Sequence, residues 1–195
     1  MSLDSPSTRV VSLSDGRRSP REWQITRRDR FRRIIWNAGW LLLGRPTPNL
    51  LHPWRRWLAR MFGAQIGKGV HIYPGAKIWA PWNLKMEDRS CLANGVGCYN
   101  VAPVEIGEDA VVSQDAYLCT ATHDYNDRAF RLLIAPIAIE ARAWVAAGAF
   151  LSPGITVHHG AVVGARSVVT ANVPPWSVVA GSPARFIKSR KFDSH

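Results

Sequence analysis

"IEARAWVAAGAFLSPGITVHHGAVVGARSVVT" (residues 139–170) places an aliphatic residue at every sixth position: Ile139, Val145, Leu151, Val157, Val163 and Val169. A helix face repeats every three or four residues and a half-buried strand every two, so neither explains a period of six. Very short strands joined by tight corners do explain it. Each strand turns one aliphatic side chain inward, and a corner closes before the next strand begins. Small residues after several of the aliphatics, as in Val145-Ala146 and Val163-Gly164, leave room for the corners. The same spacing runs upstream through Ile66, Ile72 and Ile78, then Met86, Leu92, Cys98 and Val104, then Ile106, Val112 and Leu118. A six-residue repeat sustained over about a hundred residues predicts a parallel β-helix. Each coil of such a solenoid buries its faces only against its neighbours, so several coils must stack. The expected fold class is therefore mainly β, with the solenoid over residues 66–182 and a short helical tail at 183–195.

The repeat fails between Leu118 and Ile139. The intervening run includes "ATHDYNDRAF" (residues 121–130) and carries His123, Asp124, Asp127, Arg128 and Arg131. Polar side chains cannot occupy a coil interior cheaply. This segment, near 121–136, is expected to leave the solenoid as a loop. Loops on a rigid scaffold commonly carry function.

Ahead of the solenoid the period is helical. Thr26 and Asp29 suit a helix N-terminus, with Asp in the place usual for Glu. Phe31, Ile34, Ile35, Ala38, Leu41 and Leu42 recur as one helix face requires, and Gly44 followed by Pro46 should end that helix. A second short helix fits Pro53–Phe62, with Trp54, Trp57, Leu58, Met61 and Phe62 as its apolar side. Residues 26–65 thus read as a helical segment capping the first coil. Residues 1–25, rich in Ser, Arg, Asp and Pro, read as disordered.

The chain has 195 residues and a net charge of +11. Residues 1–65 hold thirteen Lys/Arg against four Asp/Glu, and residues 66–195 hold twelve against ten. The basic character belongs to the entry segment, which also holds Trp23, Trp36, Trp40, Trp54 and Trp57. Aromatic and basic helices suit an anionic membrane surface. They equally suit a cap over the open end of a solenoid, and one segment can do both. No nucleic-acid-binding motif accompanies the charge, so no nucleic-acid partner is expected. Three cysteines without CxxC spacing argue against a disulfide framework and a zinc site, and fit a reducing, cytoplasmic compartment. No signal peptide and no spanning apolar run is visible.

The segments "ATHDYNDRAF", "VAAGAFLSPGITV", "AVVGARSVVT" and "VPPWSVVAGSPARFI" resemble the hexapeptide-repeat acyltransferases, in particular their sugar O-acetyltransferase branch. Within it, "WLLLGRPTPNLLHPWRRWLARMFGAQIGKGVHIYPGAKIWAPWNL" and "YNVAPVEIG" resemble the colanic-acid-biosynthesis-type acetyltransferases, over about 165 residues in all. The resemblance implies a left-handed parallel β-helix, a homotrimer with active sites between subunits, and acetyl-CoA as donor with no metal. It implies O-acetylation of a saccharide or sugar-containing intermediate in exopolysaccharide or glycoconjugate biosynthesis. N-acylation of an amino sugar and acetylation of a non-sugar alcohol stay open. From other classes, a non-catalytic β-helix scaffold and a γ-carbonic-anhydrase-like protein are weighed. The latter needs several metal-ligand histidines, and only His123 has a suitable loop.

His123 matches the family's catalytic histidine. A hydroxyl is a poor nucleophile while protonated, and a histidine near neutrality can take its proton as attack proceeds. Asp124 is a candidate for orienting His123. Asn100 and Asn94, with Asn100 preferred, are candidates for contacting the acceptor. The resemblance places Ala147, Ala165 and Thr170 beside the pantetheine arm of the donor, and Arg185 and Lys188 near its phosphates. Ala171 stands where the family commonly has lysine, Arg166 where a small residue is common, and Ala146 and Glu140 where glycine is expected. His158 and His159 are read as a solvent-facing corner.

Overall fold

The computed structural model describes residues 21–22 and 26–191. Its centre is a β-solenoid of about six coils built from three parallel sheets. The first sheet stacks Gln65–Ile66, Leu84–Met86, Val104–Ile106, Ile137–Ile139 and Thr156–Val157. The second stacks His71–Ile72, Cys91–Leu92, Val111–Val112, Trp144–Val145, Val162–Val163 and Ser177–Gly181. The third stacks Lys77–Ile78, Gly97–Tyr99, Tyr117–Cys119, Phe150–Leu151 and Val168–Val169.

The six-residue spacing works as expected at the level of side chains. Ile72, Leu92, Val112, Val145 and Val163 line one inner face, and all are buried. Full burial of such a side chain contributes about 1.5–3 kcal/mol. Two positions earlier the chain turns, and there the buried residue is mostly small, as at Ala76, Ala110, Ala143 and Ala161. One residue before that, the backbone adopts a positive φ in coil after coil. Gly148 and Gly160 do so freely, while Asp109, Arg142 and Arg166 accept the same left-handed conformation.

One alignment of the repeat shifts in the structure. Val104 lies six residues after Cys98, yet the residue stacked on Met86 is Ile106, and Val104 stacks on Leu84. The corners at Ala80–Asn83 and around Val101 each add two residues to their coils. Both Val104 and Ile106 still point inward, because they are two apart on one strand.

The direction of the ladder explains the composition of the entry segment. Backbone N–H groups of the first coil donate to the second: Gly67 to Met86, His71 to Ser90, Lys77 to Val96. Lys68 and Gly75 accept from the second coil in return, but the carbonyls of Ile66, Val70, Ile72, Ala76 and Ile78 face the open end, where a cap must bring donors. Helix α1 (Arg27–Gly39), a π-helical turn (Trp40–Gly44) and helix α2 (His52–Met61) bring them. Trp36 Nε1 donates to Ile78 O and Trp40 Nε1 to Ala76 O, at 2.7 and 2.9 Å. Arg55 Nε donates to Ile72 O, Arg56 to Val70 O, and Arg60 to Ile66 O and Gly67 O. Tryptophan and arginine are the residues this edge requires, since neither side chain accepts a hydrogen bond.

The helices start and stop where their sequence says. Thr26 and Asp29 form a reciprocal capping box, and the helical run ends at Gly44. A Cβ at Gly44 would stand 2.6 Å from the Trp40 ring, so only glycine fits there. The buried face differs from the expected one. Trp36, Trp40, Leu58 and Ala59 join the core, whereas Phe31, Ile34, Ile35, Leu41 and Leu42 face outward. Spacing alone could not distinguish an apolar stripe from the Trp36–Trp40 pair on the opposite side. The tryptophans win because they fill the coil end and satisfy its carbonyls together.

Two further expectations are corrected. Residues 184–189 form a strand, Ala184–Ser189, antiparallel to Ser177–Gly181, where a helical tail was expected. A helix there would leave the last edge of the second sheet unpaired. The disorder expected for residues 1–25 falls outside the described residues except at Arg21–Glu22. These two form a short strand against Ile134 and Leu133.

His52 makes the cap sensitive to pH. Its Nδ1 lies 3.0 Å from Ile72 O, and its ring stacks on His71. Partial burial lowers its pKa below 6.5, against the hydrogen bond to Ile72, and the charges of His71, Arg55 and Arg56 lower it further. As pH falls through about 6.5 the unfolded chain takes up a proton that the folded cap resists, so stability falls. The melting temperature should drop between about pH 7.5 and about pH 5.5, and His52→Gln should flatten that drop. An unchanged slope in the variant would exclude His52 as its source.

Candidate active site

The segment that interrupts the repeat is an ordered arm. Ala121–His123 pairs antiparallel with Leu132–Ile134, with His123 opposite Leu132. Ala121 and Ile134 pack with Val101 and Ala102 against Trp79 and Tyr99. Thr120 ties the root, its Oγ1 donating to Tyr99 O and accepting from Ala102 N–H. At the tip, Asp124 Oδ1 accepts from Asn126 N–H, Asp127 Oδ1 accepts from Ala129 N–H, and Arg131 pairs with Asp127.

This tip fixes His123. Its Nδ1 is 2.7 Å from Phe130 O, and the Phe130 ring stacks on the imidazole at 4.3 Å with planes 8° apart. A carbonyl only accepts, so the neutral ring carries its proton on Nδ1 and presents a lone pair at Nε2. Phe130 reaches this position through a positive φ of 47° and a hydrogen bond from its N–H to Asp127 O. The orienting group is therefore Phe130. Asp124, expected in that role, spends its carboxylate on the turn. The aromatic in "DRAF" was visible in the sequence, but only the hairpin register shows that it faces His123.

Both asparagines bond to the preceding coil. Asn100 is 0% exposed and bridges two coils, its Oδ1 accepting from Ala80 N–H and its Nδ2 donating to Ala80 O. Asn94 Oδ1 accepts from Gly75 N–H at a corner. Their side-chain hydrogen bonds hold the backbone of the preceding coil. Asn100 is thereby enclosed between coils, whereas Asn94 stays exposed at its corner.

The remaining candidates lie on three places. Ala147 and Ala165 share the corner between the second and third sheets, joined by Arg166 N–H donating to Ala147 O. Thr170 is exposed at the next corner, just past Val168–Val169. Arg185 and Lys188 are exposed on the final strand, beside Ala180 and Val178. Glu140, where glycine was expected, reaches the next coil and holds His158 Nδ1 and His159 N–H at 3.0 and 2.8 Å.

Sequence reasoning missed an aromatic cleft. It holds about 490 Å³ on the outer side of the third sheet, lined by Trp40, Lys77, Trp79, Gly97, Tyr99 and Tyr117 among others. A Cβ at Gly97 would meet the Tyr117 ring at 2.5 Å, so glycine opens this floor. Trp79 and Tyr99 also support the root of the arm, which links the cleft to the strand carrying His123.

The six-residue solenoid is the fold of solved hexapeptide-repeat acetyltransferases. The hexapeptide-repeat acetyltransferase of Vibrio cholerae complexed with acetyl coenzyme A is 25% identical, with a TM-score of 0.77 over 86% of this chain and 91% of that one. A galactoside acetyltransferase in complex with coenzyme A shares the fold at a TM-score of 0.72, covering 87% of this chain and 86% of that one at 19% identity. No family model matches the chain. The colanic acid biosynthesis acetyltransferase WcaF of Escherichia coli is 41% identical over 144 residues, 74% of this chain and 79% of that protein. The chain belongs to that family of acetyltransferases.

Proposed function

We propose that this enzyme transfers the acetyl group of acetyl-CoA to a hydroxyl of a saccharide or sugar-containing intermediate, with His123 as general base. The observation that carries the reading is the hydrogen bond from His123 Nδ1 to Phe130 O, which leaves Nε2 as the basic nitrogen. Nε2 takes the acceptor proton as the hydroxyl oxygen attacks the thioester carbonyl. A C–O bond forms, the C–S bond breaks, and the proton passes to the departing thiolate. Burial pushes the Cys98 thiol up to about 12 and raises that of Cys119, so neither is poised as a nucleophile. Direct transfer is the simpler path.

The aromatic cleft beneath the arm suits the apolar face of a sugar ring. Ala147, Ala165 and Thr170 would flank the donor's pantetheine arm, and Arg185 and Lys188 its phosphates. Ala147 and Ala165 lie at a different corner from the arm that carries His123, which supports a homotrimer whose neighbouring copies complete each site. The acetyl-CoA and CoA complexes of the similar structures support the donor. The sugar-directed name of the galactoside O-acetyltransferase of Escherichia coli, 28% identical over 135 residues, supports the acceptor class. The free thiols of Cys91, Cys98 and Cys119 support action in the reducing cytoplasm.

The test is acetyl transfer from acetyl-CoA to a panel of sugars, amino sugars and nucleotide sugars. A base-labile ester product is expected. An amide formed on amino sugars alone would replace the reading with N-acylation, and transfer only to non-sugar alcohols would remove the saccharide.

A further inference from the structure

The cap over the first coil has an outer surface that capping leaves unexplained. A solenoid cap ordinarily turns a polar face to water. Here Phe31, Ile34 and Ile35 stand outward on α1, and the apolar row continues through Leu41, Leu42 and Leu43 of the π-helical turn. Ile34 is 67% and Leu42 70% exposed. The row extends to α2, because Trp54 Nε1 donates to Leu43 O at 2.7 Å and Trp54 stacks on Trp57. Exposed apolar patches of this extent mark a binding surface.

The charge on this segment selects the partner. Residues 26–65 contain nine arginines and one acidic residue, Asp29. Arg55, Arg56 and Arg60 are committed to carbonyls, while Arg27, Arg28, Arg30 and Arg45 are exposed. We propose that the outer face of the cap docks the enzyme on an anionic lipid surface. Its leucines, isoleucines and Trp57 enter the headgroup boundary, and the free arginines meet lipid phosphates. A second copy stacked end to end would instead set two arginine-rich faces against each other. Docking is interfacial, since no helix among the described residues is long and apolar enough to cross a membrane.

Flotation of the full chain with vesicles tests this directly. The wild type should float with phosphatidylglycerol–phosphatidylcholine vesicles at low salt and far less with phosphatidylcholine alone. Ile34→Glu/Leu42→Glu should weaken binding at least about tenfold with an unchanged melting temperature, because both side chains are exposed. Arg27→Gln/Arg28→Gln/Arg30→Gln should abolish the preference for the anionic lipid. Three results would overturn the proposal. The wild type stays unbound at low salt. The double variant floats as the wild type does. Or the wild type is a larger assembly that the double variant breaks apart, which makes the face a contact between copies. Floating only after removal of residues 1–20 would also overturn it for the full chain, assigning the face to that segment.

Discussion

His123→Ala should lower acetyl transfer about 10²–10⁴-fold, the usual contribution of a positioned general base. The affinity for acetyl-CoA should stay within about twofold, since the proposed role of the imidazole is to move a proton and not to hold the donor. The loss should fall on kcat and kcat/KM alike, as for an interaction made in the transition state. His123 is exposed and lies at the end of a paired strand, so the variant should fold and melt as the wild type does. Phe130→Leu refines the test. It keeps the backbone carbonyl on Nδ1 and removes the stacked ring, so it should cost less than His123→Ala. Wild-type turnover in His123→Ala would end the general-base reading, whereas lost acetyl-CoA binding would move His123 to the donor site.

Arg55→Met should destabilise the fold by about 3 kcal/mol, because it takes a charged donor from a buried acceptor and leaves that acceptor unsatisfied. Arg55 is 0% exposed. Its guanidinium donates to Ile72 O at 2.6 Å, to Thr47 Oγ1 at 2.6 Å, to Pro48 O at 2.9 Å and to Asn49 O at 2.5 Å. Methionine fills much of the volume and satisfies none of these oxygens; the buried Ile72 O loses its guanidinium donor, while the carbonyls of the exposed Pro48 and Asn49 can turn to water. For a chain of this size the melting temperature should fall by about 10 °C. Arg55→Lys should recover only part of it, because an ammonium donates from a single point and cannot span four separated acceptors. A shift of less than about 2 °C in Arg55→Met would show that the helices are held by apolar contacts alone.

The solenoid was legible because its signal is periodic and local. One aliphatic per six residues, with small residues at the corners, means the same in every coil from Ile139 to Val169. His123 was legible for the complementary reason, since a polar run cannot replace a coil. The helices were legible as helices but not in orientation. The stripe from Phe31 to Leu42 reads as a buried face, and the structure buries Trp36 and Trp40 instead. Asn100 and Asn94 looked like open polar groups on a site-facing surface. The Asn100 amide is taken up by Ala80, and the Asn94 Oδ1 by Gly75, each one coil away, a separation that no local pattern reports.

By itself the sequence determined the repeat, the place of the arm and the presence of a histidine on it, because each depends on neighbours within a few residues. The tertiary structure alone decided which groups meet. It sets Phe130 against His123 through hairpin register and joins the aromatics of three coils and the cap into a cleft. It also turns the first coil's carbonyls toward the arginines and tryptophans of the cap. These contacts follow from the direction of the stacked ladder, which is fixed only when the coils close on one another.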